Sequence, residues 1–269
     1  TQLDTFLVSN FYGEKQLGSY HIMKYIAFMP SSELIVPATS PLLAELAKAR
    51  DKIEEFRYQF NLSFLVTMAV AFPLAIFLFK FDYLIVELLL GDQWLPYSQL
   101  FGYMSLLGIP IVLLHQSMRV LVVFEKTKLI FYYELIAFFG LYGTLIGIGF
   151  EDINSFTMMR VSLENIFCMV LFLGVANHVL KKQIWHLAAL TIPVLLATTI
   201  ATYLSSLALL PNTYLVLKII MFGSIFFISY IALLFVFYFL FYKKTVEGRH
   251  VAYLLVNQFL AIRDYLKNN

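Results

Sequence analysis

The chain has 269 residues, of which 61% are hydrophobic and 13% charged, and its mean hydropathy is +0.80. This composition excludes a water-soluble domain, whose helices would carry polar faces that recur every turn. The net charge of +2 gives no sign of nucleic-acid binding, because the basic residues lie between apolar runs and not in one patch. The single cysteine, Cys168, lies inside an apolar run, which excludes a disulfide framework or thiolate metal site.

Seven apolar runs follow one another along the chain, and each is long enough to cross a membrane. An α-helix needs about 20 residues to cross about 30 Å of hydrocarbon. The runs are residues 20–43, 58–79, 97–123, 128–149, 153–179, 186–209 and 214–242. The apolar stretch 81–90 is too short to span, so we expect it to lie along the outer interface or to extend the preceding helix. The sequence therefore predicts an all-α, polytopic membrane protein.

Lysine and arginine are concentrated in every second connection between these runs. The basic connections are residues 44–57, 124–128, 180–186 and 243–250. The positive-inside rule predicts that they are cytoplasmic, in a cell inner membrane, and that the C-terminus is cytoplasmic too. The tail 247–267 has apolar residues at helical spacing among basic ones, and we expect it to rest on the inner leaflet.

The N-terminal residues are expected to be the end of a longer helix. Residues 3–8 are mostly apolar and are preceded neither by methionine nor by a signal peptide, so we expect the chain to be a fragment. A mature protein left by cleavage is the alternative. Gly13 and Gly18 predict an outer turn over residues 11–19.

Charged residues inside spanning runs are candidates for function, because each costs at least about 2.5–3.5 kcal/mol in hydrocarbon. Arg119 and Glu134 lie at similar distances from the turn at 124–127, so they could pair at one depth. Arg160 and Glu164 have i,i+4 spacing and share a helix face, which is predicted to point to protein or to a polar cavity.

Three other charged residues in these runs can be explained by structure, and for one of them a functional role is equally open. Glu33 lies between Pro30 and Pro37, where it could couple proton or sodium movement or could bond to a carbonyl that proline leaves free. Lys24 and Lys218 lie near the outer ends of their runs, where snorkelling explains them. No metal-ligand spacing and no phosphate-binding loop is present, so no metal and no cofactor is predicted.

Several short motifs occur in an order that resembles one family. They are Asp4, Phe11-Tyr12-Gly13, Leu17-Gly18-Ser19-Tyr20, Ser40-Pro41-Leu42-Leu43 with Glu45, Leu90-Gly91-Asp92-Gln93-Trp94 and the basic turn 124–128. The series resembles Wzx-type oligosaccharide flippases, in the polysaccharide transporter family of the multidrug/oligosaccharidyl-lipid/polysaccharide exporter superfamily. The resemblance covers about residues 1–180.

The resemblance implies a two-lobed fold with a central cavity. Residues 1–179 would be the second six-helix lobe, with its first helix truncated, and residues 186–242 two additional C-terminal helices. Residues 247–269 would be a cytoplasmic amphipathic tail. A missing N-terminal lobe would then be a partner of this chain.

The resemblance also implies transport and not catalysis. The expected substrate is a polyprenyl-diphosphate-linked oligosaccharide for surface polysaccharide such as the O-antigen of lipopolysaccharide, flipped by alternating access. Other expected partners are membrane lipid, glycosyltransferases and a polysaccharide polymerase, without nucleic acid. Substrate-binding candidates are Arg119, Arg160, Glu164, Asn165 and His115, and ion-coupling candidates are Glu33, Glu134 and Asp4.

Two other functions remain open. A cation-coupled drug exporter of the same superfamily is the first alternative. A membrane enzyme such as a polymerase or acyltransferase is the second, although no large outer connection is present and neither His21 nor His115 has an obvious catalytic partner. Among the charged candidates, Arg119 and Arg160 are best suited to an anionic head group, because guanidinium binds phosphate in a bidentate way.

Overall fold

A computed structural model describes residues 2–35, 46–178, 184–207 and 214–240. In these ranges all regular structure is helical, which confirms the predicted all-α class. The helices are α1 Gln2–Pro30, α2 Ile53–Lys80, α3 Asp82–Leu90, α4 Ser98–Ser105, α5 Gly108–Val123, α6 Thr127–Ile148, α7 Ile153–His178, α8 Ile184–Ser206 and α9 Leu215–Leu240. A π-helical turn, Ser31–Ile35, follows α1, and a 3-10 turn, Asp92–Tyr97, precedes α4.

Six helical stretches of the described ranges are long and apolar enough to cross a membrane, so the chain is a multi-pass membrane protein. They are Ile53–Lys80, Asp92–Val123, Thr127–Ile148, Ile153–Asn177, His186–Ser206 and Leu215–Phe237. These stretches correspond to the last six predicted runs. The first predicted run, 20–43, begins within α1 and extends through the π-helical turn, and its part beyond residue 35 lies outside the described residues. The predicted tail 247–267 also lies outside the described residues.

α1 is a hairpin of two helical arms, residues 2–12 and 14–30. Gly13 joins the arms with non-helical angles, φ 80° and ψ 174°. Across this break, Thr5 Oγ1 lies 3.3 Å from His21 Nε2, although 16 residues of straight helix would separate them by about 24 Å. The arms are therefore antiparallel, and the turn predicted within residues 11–19 is confirmed.

Two of the predicted apolar stretches are broken at a particular residue. The run predicted over residues 97–123 contains two helices, because α4 ends before Leu106 and α5 begins at Gly108. Pro110 explains the break, since it has no N–H to donate to the Leu106 carbonyl and its ring crowds that oxygen. The stretch 81–90 forms the separate helix α3 and does not simply extend α2, because Phe81 (φ −109°, ψ 27°) interrupts the helix between them; its place along the outer interface stays a prediction.

The turn between α6 and α7 sets the start of the helix that carries Arg160. Asp152 caps α7, because its Oδ1 accepts the backbone N–H groups of Asn154 (2.8 Å) and Ser155 (2.9 Å). Its Oδ2 accepts the Ser155 hydroxyl at 2.6 Å. Bonds from Ser155 and Asn154 lower the pKa of the Asp152 carboxyl, because they favour its ionised form.

α1 is hydrogen-bonded to this same turn and packs against it. The Tyr12 hydroxyl donates to the Phe150 carbonyl oxygen at 3.1 Å. The Tyr12 and Phe156 rings meet edge to face with centroids 5.9 Å apart, and Phe156 also contacts the Phe150 ring. The end of the first α1 arm is thereby held beside the start of α7, which brings Asp4 and Arg160 to similar depths.

Replacement of Gly13 by alanine is expected to destabilise the hairpin. The angles of Gly13 fall in a region that is open almost only to glycine, so alanine should cost about 1–3 kcal/mol. Gly18→Ala is the matched control, because Gly18 is helical and has open space where a Cβ would stand. Thermal unfolding of the purified protein in detergent measures both variants, and equal unfolding temperatures would contradict this account of the turn.

Replacement of Asp152 by alanine is expected to reduce stability by about 0.5–2 kcal/mol through loss of the cap. The folded-state pKa of Asp152 is lowered, so its contribution is complete above the ordinary aspartate pKa and is lost as pH falls through the lowered value. Unfolding curves of the two proteins should therefore converge in acid. A difference that stays constant down to the lowest pH would show that another group supplies the cap.

Candidate functional site

A carboxylate lies fully buried among the membrane-spanning helices. Asp4, on the first arm of α1, is 0% exposed. It lies nine residues before Gly13, which is about 14 Å along a helix and close to the middle of a hydrocarbon layer about 30 Å thick. An ionised carboxyl at that depth requires partners of opposite charge.

Arg160 on α7 is the closest of those partners. Its Nη2 lies 2.9 Å from Asp4 Oδ2, and its side chain is 5% exposed. Arg160 Nη1 lies 3.0 Å from Glu164 Oε2, without the alignment of a hydrogen bond. The i,i+4 pair expected from the sequence is thus present, and its arginine is shared with a second carboxylate on another helix.

Lys24, on the second arm of α1, is the other cation bound to Asp4. Its Nζ lies 3.1 Å from Asp4 Oδ2 and 5.9 Å from the centroid of the Tyr20 ring. Its side chain is 22% exposed. The interpretation of Lys24 as a snorkelling residue is therefore wrong, because its ammonium turns inward to the carboxylate across the hairpin.

Two tyrosines complete the cluster. The Tyr142 hydroxyl of α6 donates to Asp4 Oδ1 at 2.8 Å. Tyr20 is fully buried beside the charges. In the described part of the chain, neither its hydroxyl nor Arg160 Nε has a hydrogen-bond partner. Two donors therefore remain available inside the cluster.

These contacts define a buried charge network of Asp4, Lys24, Arg160 and Glu164. Two carboxylates balance two cations, so the network is electrically neutral when all four groups are ionised. It joins both arms of α1 to α7, and Tyr142 adds α6. Glu164 is 29% exposed, so the network extends from the packed interior toward a surface.

The other pair suggested by the sequence stays a prediction. Arg119 is partly buried on α5, and Glu134 is exposed on α6. His115 lies one helical turn before Arg119 and is also partly buried.

The remaining candidates lie apart from the network's ion pairs. Asn165 follows Glu164 but donates to the Val161 carbonyl oxygen of its own helix at 2.9 Å. Glu33 is exposed in the π-helical turn, where Ser32 Oγ lies 3.4 Å from its Oε1. Of the residues selected from the sequence, the structure brings together Asp4, Arg160 and Glu164.

A second polar cluster, whose Ser63 and Thr67 were not among the predicted site residues, joins α2 to α5. Gln116 Nε2 donates to Ser63 Oγ at 2.9 Å and lies 3.4 Å from Thr67 Oγ1. All three residues are buried. Ser63 and Thr67 have i,i+4 spacing opposite the one glutamine of α5, and this pattern was the available signal. The cluster is uncharged and acts as a contact between helices.

Comparison with known proteins finds a similarity to one protein family over part of the chain. The model of a family described as polysaccharide biosynthesis protein matches residues 1–99, which include Asp4, Lys24 and all of α1 and α2. No curated protein and no solved structure gave a significant match. The match fits a role in polysaccharide biosynthesis.

Removal of one charged side chain of the network is expected to destabilise the protein more than removal of two oppositely charged side chains together. Arg160→Met leaves Asp4 buried with one cation, and loss of one partner of a buried pair costs about 3–5 kcal/mol. Asp4→Leu together with Arg160→Met removes one charge of each sign and should recover much of that loss. Denaturant unfolding of the purified protein gives the coupling energy, and simple additivity of the two single losses would contradict the network.

Proposed function

We propose that the protein translocates a polyprenyl-diphosphate-linked oligosaccharide across the inner membrane for cell-surface polysaccharide biosynthesis. The family match and the multi-pass fold support polysaccharide biosynthesis and transport. The observation that carries the flipping step is the neutral charge network buried at membrane depth. A static scaffold gains little from such a network, because apolar packing is often as stable as a buried ion pair or more so.

Arg160 is the proposed partner for the diphosphate. A guanidinium binds phosphate and carboxylate oxygens with the same bidentate geometry, so an arriving diphosphate would compete with Asp4 for Arg160. Asp4 would keep Lys24 and Tyr142 when Arg160 is transferred, and its carboxylate would not be left without partners. Substrate binding would thereby weaken the contact between α1 and α7 in one step.

This exchange would couple the substrate to a change of conformation. α1 and α7 are joined at membrane depth by the Asp4–Arg160 pair, so its release frees the two elements to move relative to each other. Alternating access requires such a bistable contact near the middle of the membrane. In the same scheme Arg119 and His115 would receive the head group elsewhere along the passage, with Asn165 as a neutral contact.

A second candidate is a cation-coupled exporter of small molecules, which the burial of Asp4 favours. A carboxylate held by Lys24 and Arg160 could exchange these partners for a proton or sodium ion. Glu33 and Glu134 would be further coupling candidates. The two functions differ in cargo, and they are separated by whether surface polysaccharide depends on the gene.

Loss of the proposed phosphate-binding arginines is expected to abolish polysaccharide display. In a strain whose own copy is deleted, Arg160→Ala and Arg119→Ala in the complete gene product should each lower surface polysaccharide at least about tenfold. Lipid-linked oligosaccharide should accumulate on the cytoplasmic side. Arg160→Lys keeps the charge without the bidentate fork, so it should retain an intermediate level.

Arg50→Ala provides the control, because Arg50 pairs with Glu125 at an exposed turn, 2.7 Å away, and lies outside the network. Membrane levels of every variant are compared by immunoblot. If Arg119→Ala and Arg160→Ala both leave surface polysaccharide at the wild-type level, the flipping proposal fails. Wild-type polysaccharide in the deletion strain itself would instead favour the exporter.

A further inference from the structure

One face of the second arm of α1 is exposed along its whole length and is unusually polar. Its exposed side chains repeat at steps of three or four residues, which places them on one side of a helix. We define the polar stripe by these exposed residues: Glu14, Gly18, His21, Tyr25, Met29 and Ser32.

The polar stripe differs in composition from the other exposed helix faces. Exposed positions of α6 include Phe131, Ile136 and Phe139, and those of α9 include Ile228 and Val236. Such aliphatic and aromatic surfaces suit lipid chains. The polar stripe contains no leucine, isoleucine or valine, and lipid cannot satisfy its hydroxyl, imidazole and carboxylate groups.

The polar stripe is also as long as the membrane is thick. Glu14 and Ser32 are 18 residues apart, which corresponds to about 27 Å along an α-helix. The hydrocarbon layer is about 30 Å thick. A polar group that moved along the stripe would therefore find polar contacts across nearly the whole depth of the layer.

The chemistry of the polar stripe fits sugar rings better than a diphosphate. Its charged residue, Glu14, lies beside the exposed Lys15, and the stripe residues from Gly18 to Met29 carry no carboxylate, guanidinium or ammonium group. Tyr25 is 71% exposed and offers a flat ring to the apolar face of a sugar together with a hydroxyl for hydrogen bonds. Thr5 positions the His21 ring at 3.3 Å.

The polar stripe borders the buried charge network. Lys24 precedes Tyr25 and pairs with Asp4, while the Thr5 hydroxyl that contacts His21 follows Asp4 in the chain. A substrate with a diphosphate at the network and sugars on the stripe would thus lie on one continuous surface of α1. The separation of charges also matches the substrate, whose anionic and neutral parts are covalently joined.

We propose that the polar stripe is the sugar-contacting wall of the translocation passage, with Tyr25 as its central stacking residue. The assignment rests on the proposed function and adds to it the surface that receives the oligosaccharide. Gly18 leaves a gap in the stripe, since nothing lies within 4 Å of where its Cβ would stand. That gap provides room for a sugar ring next to His21 and Tyr25.

Cysteine labelling tests the surface independently of transport. In a Cys168→Ala background, Tyr25→Cys and Gly18→Cys are treated in open membrane fragments with a charged, water-soluble thiol reagent. Ile136→Cys is the control, because Ile136 is 64% exposed on α6 and lies 12 residues from Ile148, the last residue of that helix, as Tyr25 lies 12 residues from Gly13. We expect labelling of the two stripe positions to be at least about tenfold faster than that of Ile136→Cys.

The occupant is tested with the same variants. Labelling at Tyr25→Cys should be slower in membranes from cells that assemble the lipid-linked oligosaccharide than in membranes from cells lacking the enzyme that adds its first sugar phosphate. Equal rates in the two membranes would overturn the sugar assignment. Labelling of Tyr25→Cys as slow as that of Ile136→Cys would overturn the passage itself, since protein or lipid would then cover the stripe.

The final test compares surface polysaccharide in cells that carry substitutions in the polar stripe. Tyr25→Ala and Gly18→Trp should lower surface polysaccharide at least about tenfold, the first by loss of the ring and the second by filling the gap, while Tyr25→Phe should retain most of it. Tyr132→Ala removes an exposed tyrosine from α6 and should have no effect. Loss of transport in Arg160→Ala but not in Tyr25→Ala would refute the stripe alone, whereas polysaccharide that is independent of the gene would refute the flipping function.

Discussion

The contact between Asp4 and Arg160 is the constraint on which the arrangement of α1 and α7 depends. Both side chains are buried at a depth where an isolated charge is strongly unfavourable, so each requires the other to remain ionised. The requirement fixes geometry as well as charge, because Asp4 must reach Arg160 on α7 and Lys24 across the hairpin at the same time. Gly13 makes the hairpin possible, and the Tyr12–Phe150 contact holds it against the α6–α7 turn. Local backbone geometry and long-range electrostatics therefore support one another.

A neutral network has a property that apolar packing lacks, namely that its members can exchange partners. An aliphatic side chain that leaves a packed site gains nothing comparable in return. An arginine that leaves one oxyanion can bind another with similar geometry, so the energy difference between the two states is small although each contact is strong. The donors still available inside the cluster, Tyr20 and Arg160 Nε, would allow the arginine to keep a hydrogen bond during such an exchange. A membrane transporter needs both properties, stable end states and a modest difference between them.

The sequence predicted the fold class well, because hydropathy and length decide which segments can cross a membrane, and the last six runs coincide with six spanning helices. It predicted the site only in part. Depth can be read from distance to a turn: Asp4 and Lys24 are each about ten residues from the Gly13 turn, and Tyr142 and Arg160 are each about nine from the α6–α7 turn. The same rule does not decide whether Arg119 and Glu134 pair, since depth says nothing about helix rotation. Rotation depends on packing between distant helices, which periodicity in nearly uniform apolar runs does not reveal.

The exposed surface of α1 is subject to the same requirement, that polar groups within a membrane have hydrogen-bond partners. A residue such as Tyr25 can be exposed at membrane depth only if water, protein or a polar cargo faces it, because hydrocarbon offers no hydrogen bonds. The buried network neutralises its charges internally, so it needs nothing from outside until a competing anion arrives. In the stripe, Ser32 donates to the Phe28 carbonyl oxygen and His21 contacts Thr5, whereas the Tyr25 side chain, which is 71% exposed, depends on what lies in front of it. A cargo with one anionic and one neutral polar part would meet both needs, and no purely apolar or purely anionic molecule would. The division of polar groups on α1 therefore fits the proposed cargo, a glycosylated lipid diphosphate, better than it fits a simple ion.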